Sequence, residues 1–173
     1  MILIRPSTEA DMPAICEIYG QHVRHGTATF ETEPPDVSEM TARHADVTRK
    51  GLPWLVAVVN GQVQGYAYAN WFRPRAAFRY CVEDSIYLAE GSSGQGLGRA
   101  LLAELITRCE TAGMRKMVAV IGDSANAGSI GLHRALGFEE VGIMRGCGWK
   151  LAQWLDIVLM ERVLGSGHQT PPD

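Results

Sequence analysis

The chain has no excess of basic residues. Its 16 Lys and Arg against 19 Asp and Glu give a formal net charge of −3. That argues against nucleic acid as the main partner, which usually needs a basic excess on one face. It also has no paired cysteines: Cys16, Cys81, Cys109 and Cys147 form no CxxC and no cluster with histidine. Neither a metal site nor a disulfide framework is expected, and free thiols in a reducing cytoplasm are the better reading. Long hydrophobic runs are missing too. The stretch Trp54 to Val59 suits a strand and nothing longer, and the opening MILIRPSTEADMP reaches polar residues after four positions. Neither a signal peptide nor a membrane span is therefore expected. No internal repeat and no interdomain linker interrupts the 173 residues. With 46% hydrophobic and 20% charged residues they read as one globular domain over 2–163, followed by a disordered tail over 164–173.

What is present is a clear order of elements. Ile2 to Arg5 reads as a short strand. Thr8 with Asp11 resembles a capping arrangement ahead of Met12, Ile15, Ile18, Tyr19 and Val23, which recur at helical spacing. A loop over 26–36 carries Phe30 and ends in Pro-Pro, and a polar helix follows from Ser38 to about Lys50. Trp54–Val59, Asn60-Gly61 and Val63–Trp71 form a hairpin pattern. Arg73-Pro74-Arg75 makes a basic loop. From Tyr80 to Leu88 a strand places Val82, Asp84, Ile86 and Leu88 on one face and Cys81, Glu83, Ser85 and Tyr87 on the other. Leu97 to Cys109 traces a helix face stopped by Gly113. Then come a strand over Met117–Ile121, a helix over Asn126–Leu136, and strands near 139–147 and 154–163. The fold class is α/β: a mixed, largely antiparallel sheet flanked by helices, with a parallel β-α-β crossover in its second half.

The glycines of SSGQGLGRALL, residues 92–102, stand where a turn enters a helix. A dinucleotide fingerprint fails here, because the third glycine position holds Arg99 or Leu101 in the two registers. No Gly-Lys pair exists for a P-loop. A tight turn that closes backbone N–H groups on a diphosphate at a helix N-terminus fits; so does a helix start with no ligand.

The surrounding sequence resembles the GNAT superfamily of N-acetyltransferases. Ser93-Gly94-Gln95-Gly96-Leu97-Gly98 matches its R/Q-x-x-G-x-G/A pyrophosphate motif, with Ser93 where arginine or glutamine is usual. Asn126 and Leu132-His133-Arg134-Ala135-Leu136-Gly137-Phe138 match its N…LYxxxGF helix, with His133 where tyrosine is common. Within the superfamily the chain is most similar to phosphinothricin and methionine sulfoximine acetyltransferases, over IRPSTEAD, TATFE, GLPWLVA, FRPRAAFRYCVEDSIYL and GWKLAQWLD. The resemblance implies acetyl-CoA as donor. Main-chain groups of Ile86, Tyr87 and Leu88 would lie along the pantetheine and acyl carbonyl, with a strand N–H as oxyanion donor. Ser93, Gly94, Gln95, Gly96, Leu97, Gly98, Arg99 and Ala100 would hold the pyrophosphate, and Asn126 would bond the pantetheine arm.

Acetyl transfer to an amine needs a proton acceptor, since an α-amine has a pKa of roughly 8. Alternation alone favours a surface-facing Glu83; the resemblance makes it the base. Asp84, on the other face, is not expected to substitute. The resemblance also makes His133 a second proton-handling residue, whereas His22, His25, His44 and His168 read as surface residues. Arg73 and Arg75 suit a carboxylate or phosphinate. Phe78 and Phe30 would supply apolar walls, the latter across a dimer interface, and GWKLAQWLD would line that interface. The function implied is direct acetylation of the α-amine of a small amino-acid analogue within a ternary complex, by a cytoplasmic homodimer. A polyamine, an antibiotic or a protein N-terminus as acceptor, or a CoA-binding regulatory module, stays open. A module would not need Glu83, His133, Arg73 and Arg75 together, and an acidic loop would have favoured polyamines.

Overall fold

Alternating apolar residues and one Asn-Gly turn build the centre of the molecule. The computed structural model describes residues 1–172. In chain order its elements are β1 (Ile2–Pro6), α1 (Met12–His25), α2 (Val37–Arg49), β2 (Trp54–Val59), β3 (Gln62–Trp71), β4 (Cys81–Leu88), α3 (Leu97–Thr111), β5 (Lys116–Gly122), α4 (Ala127–Ala135), β6 (Glu139–Lys150) and β7 (Gln153–Val163). Asn60 and Gly61, both at positive φ, turn β2 back on β3. The seven strands form one sheet in the order β1-β2-β3-β4-β5-β7-β6. Every neighbouring pair is antiparallel except β4 and β5. Connecting that parallel pair requires a crossover, and α3 supplies it.

The two faces are covered by different helices. Trp54, Tyr66, Tyr68 and Tyr87 stack on one face, where Tyr87 meets Tyr19 of α1 and Trp54 meets His44 of α2. Small residues line the other face, with Ala67 and Ala69 fully buried under Leu101, Leu102 and Leu105 of α3. Before α1, Arg5 grips Asp11 with two bonds of 2.7 and 2.8 Å, and Asp11 accepts from Thr8 N–H at 2.8 Å. The expected capping arrangement is therefore a full capping box.

Two expectations change. The last two strands are longer than the sequence suggested, because Leu151 and Ala152 make their connection at φ 51° and 59° without glycine, proline or asparagine. Residues after 163, expected to be a disordered tail, begin with a fully buried Leu164 whose N–H donates to Arg115 O at 3.0 Å. The Arg115 guanidinium then gathers Ser166 Oγ, Gly167 O, Thr170 Oγ1 and Pro171 O. An arginine carries five donors in a fixed fork, and here it organises a segment with little apolar content. Asp173 lies outside the described residues.

Candidate active site

The parallel pair that the crossover creates does not stay paired. β4 and β5 run in register from Cys81↔Lys116 to Asp84↔Ala119, and there the pairing ends. β4 continues along β3 to Leu88 while β5 continues along β7 to Gly122, so a slot opens between them. Backbone alternation decides what faces it. Cys81 O accepts from Phe72 N, and Ala89 N donates to Gln64 O; the odd-numbered residues of β4 thus bond β3. Ile86 turns its N–H and C=O and Leu88 its N–H toward the slot instead, while Leu88 O is bonded by His22 Nε2 at 2.8 Å. A buried backbone donor needs a partner, and a ligand lying in the slot provides one.

A cleft of about 640 Å³ fills this opening. Its walls include Thr29 and Phe30 of the loop after α1, Tyr68 of β3, Glu83 to Leu88 of β4, Ile121 and Gly122 of β5, and Asn126 and Leu132 of α4. At one end lies the turn into α3, where Gly91, Gly94 and Gly96 adopt left-handed φ of 76°, 77° and 81°. Only glycine takes that conformation freely, which accounts for the spacing of the motif. Ala100 N–H is the first committed to the helix, at 3.0 Å from Gly96 O. The amides of Leu97, Gly98 and Arg99 have no intrahelical acceptor. Together with the helix dipole they make an anion site.

At the other end stands Glu83, half-buried against Tyr68. Burial and then the charge of Asp84 push its carboxyl pKa up to about 7, while Arg73 pulls it down. A carboxylate with that affinity takes a proton near neutral pH, where an ordinary one does not.

The loop over the cleft is tied down from several sides. Thr29 Oγ1 bonds Tyr19 Oη at 2.8 Å and Thr27 Oγ1 donates to Asp123 Oδ2 at 2.9 Å. Lys150, only 4% exposed, donates through Nζ to Thr29 O at 2.8 Å and His22 O at 3.3 Å. His22 O belongs to the last turn of α1, where a cation is favoured. Phe30 points a ring edge at Gly148 of the same chain: a Cβ there would come within 2.2 Å of its ring.

The expected site residues fall into three groups. Glu83, Ile86, Leu88, Ser93, Gly94, Gly96, Gly98, Arg99, Asn126 and Phe30 line one cleft. Asn126 also caps α4 through a 3.1 Å bond from Ser129 N. Arg73, Arg75 and Phe78 stand outside it on the exposed loop at its rim, with Arg73 over the Phe72 ring at 4.6 Å and close enough to act on Glu83 by charge. The rest differ from expectation. Tyr87 lines the cleft with its side chain, but its main chain belongs to the β3 ladder. Leu97 keeps its amide in the anion site but buries its side chain in the core, Ala100 N–H is spent on Gly96 O, and Gln95 bonds back to Gly91 O at 3.1 Å.

His133 is the main correction. Its ring is 2% exposed, with Nε2 at 2.9 Å from Asp84 Oδ2 and Nδ1 at 2.7 Å from Ser129 O. It lines the same cleft as Glu83, but both nitrogens are committed, so neither is free to meet an amine or a thiol. Among the residues read as surface, His22 sits in the cleft wall with Nε2 2.8 Å from Leu88 O and its ring against Tyr87, and His44 bonds Ser7 Oγ. Sequence reading missed Tyr68, Thr29, Gly122 and Lys150.

Comparison with known proteins agrees with this geometry. Residues 15–138 match the model of the acetyltransferase (GNAT) family. The chain is 49% identical to phosphinothricin N-acetyltransferase of Alcaligenes faecalis, over 98% of this chain and 86% of that protein. It is 42% identical to the L-methionine sulfoximine/L-methionine sulfone acetyltransferase of Pseudomonas aeruginosa, over 97% and 98%. A crystal structure of a GNAT superfamily phosphinothricin acetyltransferase from Sinorhizobium meliloti in complex with AcCoA superimposes with a TM-score of 0.97 at 47% identity, covering 99% of this chain and 93% of that one. The chain belongs to the GNAT family of acetyltransferases.

Proposed function

We propose that this acetyltransferase moves the acetyl group of acetyl-CoA onto the α-amine of a small amino-acid analogue, of which phosphinothricin and methionine sulfoximine are the models. The observation that carries the reading is Glu83: a half-buried carboxylate at the head of a slot whose far end is a diphosphate-sized turn. Acetyl-CoA supplies the acetyl group and the departing thiol. The turn over Ser93–Gly98 and the free amides of Leu97, Gly98 and Arg99 suit its diphosphate, and the slot-facing groups of Ile86 and Leu88 suit its extended amide arm. Ser93 gives up a long side chain at the phosphates, but backbone donors do not depend on side-chain identity.

Glu83 takes the proton that the ammonium must lose before it can attack. Its pKa of about 7 leaves it largely ionised at the pH where the amine, near 8, still carries its proton. Direct attack is supported because no cysteine lines the cleft among the described residues. Neither Arg73 nor Arg75 makes an ion pair among the described residues; Arg73 acts on Glu83 by charge and Arg75 follows on the same exposed loop. They fit the acidic group of the substrate as bidentate partners. Replacing Arg75 by Ala raises KM severalfold for acidic amino acids and leaves KM for an amine without an acid group unchanged. An equal effect on both contradicts this recognition.

We also propose a homodimer through β6. This strand is a long sheet edge that leaves Val141, Ile143 and Met144 exposed, and its Trp149 pairs with Trp154 of β7 at 5.2 Å while 58% and 68% exposed. A monomer rarely leaves so apolar an edge unpaired. The four free cysteines fit a cytoplasmic location.

A further inference from the structure

On the face of β4 opposite Glu83 lies a buried charge pair. The side chains of Asp84 and His133 are each 2% exposed and 2.9 Å apart. Space for them comes from Ala69 and Ala119, the cross-strand partners of Asp84 on either side, both buried. A carboxylate and a main-chain carbonyl can only accept, so both ring nitrogens of His133 carry protons and the ring is cationic. Burial opposes that charge, but the bond and charge of Asp84 and the Ser129 carbonyl outweigh it and raise the His133 pKa. Asp84 Oδ1, by contrast, is buried without a partner.

Other groups reach this region. Arg73 acts on Glu83 from the rim loop, Tyr68 and Asn70 face it from β3 with Lys50 bonded to Asn70 at 2.9 Å, and Cys81 shares its strand face. Around the pair stand Cys109 of α3, Ser129 of α4 and the Phe138 ring, which lies perpendicular to the His133 ring with centroids 4.9 Å apart. None of these supplies a cation to Asp84 except His133.

We infer that Asp84 and His133 act as one positioning unit for the base: the pair clamps α4 to β4, and His133 partly offsets the negative charge that Asp84 presents to Glu83. This rests on Glu83 being the base. Asp84 alone, one residue along the strand, resists ionisation of Glu83; His133 limits that resistance. The two ends of the pair therefore act in opposite directions.

The test is the pH dependence of kcat/KM for acetyl transfer to methionine sulfoximine. Asp84→Asn removes the negative charge and moves the acid limb down by roughly one pH unit; His133→Gln leaves Asp84 uncompensated and moves it up by about as much. A merely structural pair lowers the rate in both variants and leaves the limb in place. Unmoved limbs, or shifts in the same direction, overturn the inference. If His133→Gln does not fold, Asp84→Asn decides alone, since its carboxamide keeps the shape: a limb that stays or rises is the contrary result. Glu83→Gln, run beside them, separates the two readings. If it keeps the wild-type rate and limb, Glu83 is not the base; if it loses both while the pair variants do not diverge, only the pair's role is wrong.

Discussion

At the scale of single residues, chemistry follows from where a charge is denied water. Glu83 is held at a pKa of about 7 by burial and by Asp84, so kcat/KM should rise through about pH 7 as the carboxyl ionises. Glu83→Gln should lower kcat at pH 7 by about 10²–10³-fold, and by less at high pH, where the free amine needs no acceptor. A pH-rate series on both proteins checks this. Asp11 shows the opposite sign. The bond from Arg5 outweighs burial, and with help from Thr8 it lowers the Asp11 pKa to about 2. A depressed carboxyl stabilises the fold above its unfolded pKa and ceases to do so as pH falls through the folded value. Asp11→Asn should therefore cost about 1–2 kcal/mol at pH 7, and urea melts should show that gap closing between about pH 4 and pH 2.

At the scale of elements, the sequence carried most of the fold because its signals were local. The Asn60-Gly61 turn, the alternation in β4 and the spacing of Leu97, Leu101, Leu102, Leu105 and Ile106 each report a periodicity that one face of burial imposes. The turn at Leu151-Ala152 was not legible, since neither residue has a preference for left-handed backbone. Glu83 was legible as a candidate only through the family resemblance, since alternation alone favoured a surface-facing carboxylate, and the glycine turn was legible from its glycines standing where a turn enters a helix. His133 was misread for a physical reason. Its partner Asp84 is 49 residues away, and only the close approach of α4 to two alanines shows that the ring is an ion-pair member. Lys150 was invisible in the same way, because its acceptors are main-chain carbonyls at 22 and 29.

That element-level packing makes its own predictions. Lys150→Met leaves two carbonyls without their donor and should cost about 1–3 kcal/mol. It should also loosen the loop of Thr29 and Phe30, raising KM for the amine more than it lowers kcat. Gly148→Ala drives a Cβ into the Phe30 ring and should destabilise by about 1–3 kcal/mol. Phe30→Ala in the same chain should recover part of that loss. A double-mutant cycle in thermal melts reads the coupling, and simple additivity contradicts the contact.

At the scale of the whole molecule, one splayed parallel pair organises everything else. Splaying β4 from β5 gives a slot, the crossover helix gives an anion site at its end, and the α1–α2 loop roofs the other end beside the base. The helices cover both faces but leave the β6 edge bare, and the proposed association through that edge would bury Trp149 and Trp154. Trp154→Glu should shift the chain from dimer to monomer in sedimentation at micromolar concentration, and a wild-type protein that sediments as a monomer contradicts the proposed interface. The central claim concerns the reaction. Thiol release from acetyl-CoA, measured over a panel of amines at pH 8, tests it most directly. The account predicts saturable turnover with phosphinothricin or methionine sulfoximine, lowered by Glu83→Gln, and little with polyamines. Robust turnover of a polyamine with none of either amino-acid analogue would contradict it.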